Sequence, residues 1–345
     1  MGRTVWRALI VACVCLCVES SQSAEEAGPR APVALIFDTD MGNDIDDALA
    51  LGVIHALESR GECRLLAVTL SKANTYSAMF VDLINTFYGR GQIPIGKMSE
   101  GPTPDDGKYT RRTVESQQEG MPRYRRWHGS IEEFPHAVPL LRRTLAAQPD
   151  GSVVMVVVGF STNLARLLDT PADEYSPLSG RELVAKKVRL LSTMAGMYSA
   201  TGRHKEYNVH VDLESARRVY ADWPTPIVAS GFEVGLAIKY PATSIEQDYG
   251  YVAQHPLAEA YSYYMQMPYD RETWDLTSVL YAVRPERGYF DLSPPGTVHV
   301  DDQQVTQFTP AAEGRHRYLI VSPEQIARVR EALVQLASQP PDRTE

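Results

Sequence analysis

Asp38, Asp40, Asp44, Asp46 and Asp47 place five carboxylates within ten residues, in the run Asp38-Thr39-Asp40-Met41-Gly42-Asn43-Asp44-Ile45-Asp46-Asp47. That much negative charge in one place is costly unless something positive offsets it. A hard divalent cation bound through oxygens meets the need, and Asp40 and Asp47 flank a glycine-containing turn, so both could face one ion. One aspartate here would read as a solvated helix start favoured by the helix dipole; five do not. A bound cation would orient a water and lower its pKa, and a carboxylate within hydrogen-bond reach could take the proton.

Residues 33–37 (Val-Ala-Leu-Ile-Phe) read as a buried strand and residues 48–54 as an apolar helix. The acids therefore sit on a strand-to-helix turn at the carboxyl end of a strand, where open α/β sheets place their sites. The alternation continues with strands expected at 65–70, 93–95, 153–158, 188–194 and 226–229. Helices are expected at 76–88, 139–147, 164–168, 212–220, 257–265 and 274–282. Residues 153–158 form a continuous apolar run, the mark of a strand covered on both faces. Two strands, 297–308 and 318–321, precede a last helix at 323–337 with Ser322 as its N-cap. The pattern argues for an α/β fold with a mostly parallel sheet. Residues 101–133, rich in Pro, Gly and charge, read as a long surface excursion near the site.

The net charge of −9 and the pI near 5.5 argue against a duplex nucleic-acid binder, which would show a basic face. Arg3 and Arg7 precede an apolar stretch at 8–18 that is too short to span a bilayer. Small and polar residues follow, with cleavage expected after Ser23 or Ala24. This is a signal-peptide pattern, so residues 1–24 are expected to be removed and residues 25–345 to form a single α/β domain, secreted or periplasmic. No later stretch reads as a membrane helix. Cys13, Cys15 and Cys17 lie in the leader, so Cys63 alone remains and stability must come from the core.

Asp38-Thr39-Asp40, a glycine, then Asp46-Asp47-Ala48 resembles the N-terminal signature of the nucleoside hydrolases, the inosine-uridine-preferring group and its relatives. The spacing is two residues longer than in the commonest form and resembles a known branch. Further matches follow in chain order. Ala73-Asn74 resembles a Gly-Asn segment, residues 159–163 a Gly-Pro-Leu-Thr-Asn turn, and Met194-Ala195-Gly196 a Met-Gly-Gly. Glu206-Tyr207-Asn208 followed by Asp212-Leu213-Glu214 resembles Glu-Phe-Asn followed by Asp-Pro-Glu, and Trp274-Asp275 falls where the family has His-Asp or Trp-Asp. The ordered set covers residues 33 to about 285.

The resemblance implies an open, mostly parallel, Rossmann-like sheet with flanking helices, the nucleoside hydrolase fold, and hydrolysis of the N-glycosidic bond of ribonucleosides with one Ca²⁺. It implies Asp40, Asp47, the backbone carbonyl of Thr162, and Asp275 as the ion's ligands, and Asp40 as general base. It implies Asp46, Asn74, Glu206 and Asn208 as ribose contacts, with Asp38 behind them and Asp44 unassigned. Carboxylates near the sugar stabilise the positive charge that develops as the bond breaks. Trp274 stands where one branch has a histidine acid, which implies a purine preference with the indole stacked on the base. Trp127 is a candidate second face. His128, next to Gly129, resembles a His-Gly pair of the family, and His204 and His210 are other candidate acids. Dimers or tetramers are expected from the family.

Two departures keep a second reading open. The histidine acid of one branch is missing, with Trp274 in its place, and Arg203 stands where the family often has asparagine. A nucleoside- or carbohydrate-binding protein without turnover on the same fold is the alternative. A phosphotransferase of the haloacid dehalogenase type also starts from an Asp-x-Asp after a strand, but Met41 and the later motifs fit it poorly.

Overall fold

The apolar runs become the inner strands of one sheet, as their continuity requires. The computed structural model describes residues 1–2, 31–199 and 204–342. Residues 3–24 of the expected leader, and Arg203, lie outside them. The chain divides into Met1–Ala31 and Pro32–Glu345, and every element named below belongs to the second unit.

The strands are β1 (Val33–Thr39), β2 (Cys63–Leu70), β3 (Ile95–Gly96), β4 (Val153–Val157), β5 (Val188–Met194), β6 (Ile227–Ser230), β7 (Asp291–Leu292), β8 (Gly296–Val300), β9 (Thr306–Pro310) and β10 (His316–Ile320). They form a ten-stranded sheet in the order β9-β8-β10-β6-β5-β4-β1-β2-β3, with β7 paired to β10. The pairings from β3 through β10 along this order are parallel, and β7, β8 and β9 join antiparallel. The mostly parallel α/β sheet expected from the alternation is therefore the observed one. After β1 the chain builds β2 and β3 on one side, then crosses to build β4, β5 and β6 on the other. The topological switch lies between the carboxyl ends of β1 and β4, where such sheets bind ligands.

Side chains alternate across the sheet with the period of two that a strand imposes. Leu35, Phe37, Val154 and Val156 face one core, together with α1 (Asp46–Ser59), α2 (Thr75–Phe87), and the later helices Trp274–Val283 and Pro323–Ala337. Ile36, Val153, Met155 and Val157 face the other, together with α3 (Ala137–Ala146), α4 (Thr162–Leu168), α5 (Gly180–Lys187) and the helix Leu213–Asp222. Each fully buried aliphatic side chain is worth about 1.5–3 kcal/mol, so the inner strands are held on both faces.

Two expectations change in detail. Residues 297–308 are a hairpin, β8 and β9, because Asp301 and Gln304 make a turn: the Asp301 carboxylate accepts from the Val305 N–H, and Gln304 has φ 64°. The excursion at 101–133 carries the short helix Thr110–Val114, the hairpin Gln117–Gln118 with Met121–Pro122, and a 3-10 turn at Ile131–Glu133. The expected Ser322 cap is present as a reciprocal capping box with Gln325. Among the described residues, no helix is long and apolar enough to cross a membrane.

Candidate active site

The carboxylate turn leaves β1 and enters α1, with Asp46 and Asp47 in the first helical turn, where the exposed N–H groups favour negative charge. Gly42 has φ +113°, a conformation that favours glycine. Its N–H donates to the Tyr109 hydroxyl (2.9 Å), and that hydroxyl donates to the Asp44 carbonyl (2.7 Å). The excursion thus braces the turn from outside. Gly159, at the end of β4, comes so close that a Cβ there would lie 2.5 Å from the Asp40 nitrogen.

A cleft of about 280 Å³ opens over the carboxyl ends of β1, β4, β5 and β6. Of the residues expected at the site, Asp40, Glu206, Asn208, Trp274 and Asp275 line it. Asp46 and Asp47 lie just behind, both fully buried at the start of α1. Asp46 accepts from the Asp275 N–H (3.2 Å), and Asp47 accepts from the Thr39 hydroxyl. Thr162 opens α4 with its hydroxyl donating to Asp212. Asp38 is buried below, accepting from Thr69 (2.6 Å) and Asn163 (2.8 Å); it ties β1 to β2 and α4.

Asn74 is not brought to the cleft wall. Its carbonyl caps α2 by accepting from the Tyr76 N–H (2.8 Å), and its amide donates to Pro104 (2.9 Å) and Asp106 (3.1 Å). Trp127 is 59% exposed and sits against Gly91, so it offers no second face to the cleft. His128 is held by Asp82 (2.9 Å), and His210 by Gln304 (2.6 Å). His204 is the expected histidine that lines the cleft, with its ring 4.2 Å from Phe232.

The sequence reading missed Phe232 and Arg271. Phe232 opens the short helix after β6, separated from the strand only by Gly231, and the rule that marked the turn after β1 would have marked it too. It stacks on Trp274 (5.2 Å, 26°), whose indole N–H donates to the Phe232 carbonyl (2.8 Å). Arg271 gave no local signal. Its guanidinium lies 2.6 Å from Asp44 and 3.2 Å from Asp46.

Electrostatics divide the cleft. Burial raises Asp40 to about 6, against the lowering effect of the Asn43 amide (2.6 Å) and the nearby Lys72 ammonium. Burial, and then repulsion from neighbouring carboxylates, pushes Asp46, Asp47 and Asp275 well above the usual range. Glu206 is raised to about 7 by burial, but it accepts the N–H groups of Gly196 (3.0 Å), Asn208 (2.8 Å) and Val209 (3.1 Å). The Asn208 amide in turn donates to the Val158 (2.8 Å) and Met194 (3.1 Å) carbonyls, bridging the ends of β4 and β5. Asp44, Asp46 and Asp275 each bring one oxygen to within 4.8 Å of the others. Arg271 already pairs with the first two, while Asp40, Asp47 and Asp275 pair with no guanidinium among the described residues. Buried, mutually repelling carboxylate oxygens are the donor set a hard divalent cation takes.

The chain matches the family model described as inosine-uridine preferring nucleoside hydrolase over residues 35–325. No curated protein gives a significant sequence match. Among solved structures, a plant nucleoside hydrolase is similar with a TM-score of 0.62 at 18% identity, covering 90% of this chain and 100% of that one. A purine-preferring ribonucleoside hydrolase from Gardnerella vaginalis gives 0.63 at 16%, covering 88% and 99%. The type III effector protein XopQ, solved with adenosine diphosphate ribose, gives 0.65 at 16%, covering 90% and 96%.

Proposed function

The chain belongs to the inosine-uridine preferring nucleoside hydrolase family, and from that premise we propose that it hydrolyses the N-glycosidic bond of ribonucleosides, purine nucleosides before pyrimidine ones, with one Ca²⁺. The observation that carries this reading is the convergence of Asp40, Glu206, Asn208, Trp274 and Asp275 on one cleft at the switch point of the sheet.

Asp40, Asp47, Asp275 and the Thr162 carbonyl would hold the ion, which when bound orients a water and lowers its pKa. Asp40 would accept the proton of the attacking water, provided that water lies within hydrogen-bond reach of its carboxylate. Glu206 and Asn208, held rigidly by backbone groups, bind ribose hydroxyls; contacts that tighten as the sugar flattens favour the transition state. The carboxylates stabilise the developing positive charge on the sugar. Phe232 and Trp274, stacked on each other, would supply the aromatic wall for the base, and a larger purine would cover more of it. His204, which lines the cleft against Phe232, is the acid this reading assigns to the departing base.

The test is ribose release from inosine, adenosine, guanosine and uridine, with Ca²⁺ and with chelator. Release that chelator abolishes and that favours the purines is expected. No ribose from any of the four, with the ion shown to be bound, overturns the activity. Saturable nucleoside binding without turnover, unchanged in Asp40→Asn, would establish a binding protein instead.

A further inference from the structure

Arg271 is held more firmly than a surface arginine. Its side chain is 10% exposed, and its guanidinium meets Asp44 at 2.6 Å, Asp46 at 3.2 Å and Glu272 at 3.5 Å. It also lies over the rings of Tyr264 and Trp274, 5.0 Å from each centroid, a placement that favours a cation. Its position is set by the pairing of Arg271–Glu272 with Lys239–Tyr240, just before the helix that carries Asp275. Asp44 lies on the same turn as Asp40, Asp46 and Asp47, so it adds an acid to an already crowded site.

We propose that Arg271 is a positioning residue: a resident cation that takes up Asp44 and Asp46 and leaves Asp40, Asp47 and Asp275 to hold a single divalent ion. The proposal rests on the cation reading above and adds why one ion suffices for so many acids. Without the guanidinium, Asp44, Asp46 and Asp275 would be a second set of converging oxygens, already within 4.8 Å of one another. Recognition of a substrate anion is the weaker role for Arg271, because the side chain is already paired with three carboxylates. Asp44, in turn, serves to anchor Arg271.

Calorimetric titration of the purified chain with Ca²⁺ tests this without any activity readout. One ion is expected in the unaltered protein and in Arg271→Lys, which keeps the charge. Arg271→Met is expected to take up two ions, or to bind the first at least about tenfold tighter. The double variant Asp44→Asn with Arg271→Met removes one charge of each sign and is expected to return to one ion at the original affinity. Arg271→Met that is folded and binds one ion unchanged overturns the proposal. If Arg271→Met does not fold, a folded double variant binding one ion supports it, and a double variant that is equally unfolded overturns it. Unaltered protein that takes up no Ca²⁺ overturns the cation reading; if Arg271→Met then gains an ion, the role of Arg271 stands, and if it does not, both fall.

Discussion

Glu206 and Asp40 line the same cleft and are raised by the same cause, burial, to about 7 and about 6. Their surroundings differ. Glu206 caps the short helix Tyr207–Val211 and receives three backbone N–H groups. Those donors come with the chain and need nothing from solution. Asp40 has one side-chain amide close by and shares its wall with Asp46, Asp47 and Asp275. Lys72 and Arg271 together cannot balance that many carboxylates. One wall is finished by hydrogen bonds that hold a carboxylate in place; the other keeps excess charge that a bound ion can use.

The sharpest way to test this contrast is Asp40→Asn, expected to lower the rate of ribose release by ~10²–10⁴ at saturating Ca²⁺; a loss below tenfold would remove Asp40 from the base role. Glu206 should show itself in stability instead. Its folded pKa lies above its unfolded value, so the folded state keeps a proton the unfolded chain has released. Stability is then greatest below about pH 4.5 and falls as pH rises to about 7. Glu206→Gln should remove about 3 kcal/mol of that slope in total, read from urea midpoints across the window. Equal slopes in both proteins would mean that Glu206 does not hold its proton.

Phe232→Ala, on the aromatic side of the cleft, is expected to raise KM for inosine about tenfold with a smaller change for uridine; equal changes would break the purine reading. The smallest effect belongs to Trp127→Ala. Its exposed indole lies away from the cleft, so kcat/KM should stay within about twofold and stability within about 0.5 kcal/mol. A large rise in KM would show that the excursion closes over the base.

The inner strands were legible because continuous apolar runs leave little choice of environment: 153–158 and 188–194 are β4 and β5 almost to the residue. The carboxylate turn was legible because all five acids are local in sequence. Asn74 was less so, since an asparagine before a helix serves a cap and a ligand contact equally well; its amide is held here by the Pro104 carbonyl, from a distant loop. Trp127, a candidate second face, shows the same limit. An aromatic residue in a long loop carries no record of which way the loop folds, and here the loop lays it against Gly91.

The acids' count, their place between a strand and a helix, and the need to offset their charge follow from the sequence alone, because charge density and hydrophobic period are local properties. The division of those acids does not. Asp44 and Asp46 meet a guanidinium from residue 271, while Asp40, Asp47 and Asp275 meet none among the described residues. Only the tertiary structure decides this, because Coulomb energy depends on distance in space and Arg271 lies 225 residues along the chain from Asp46.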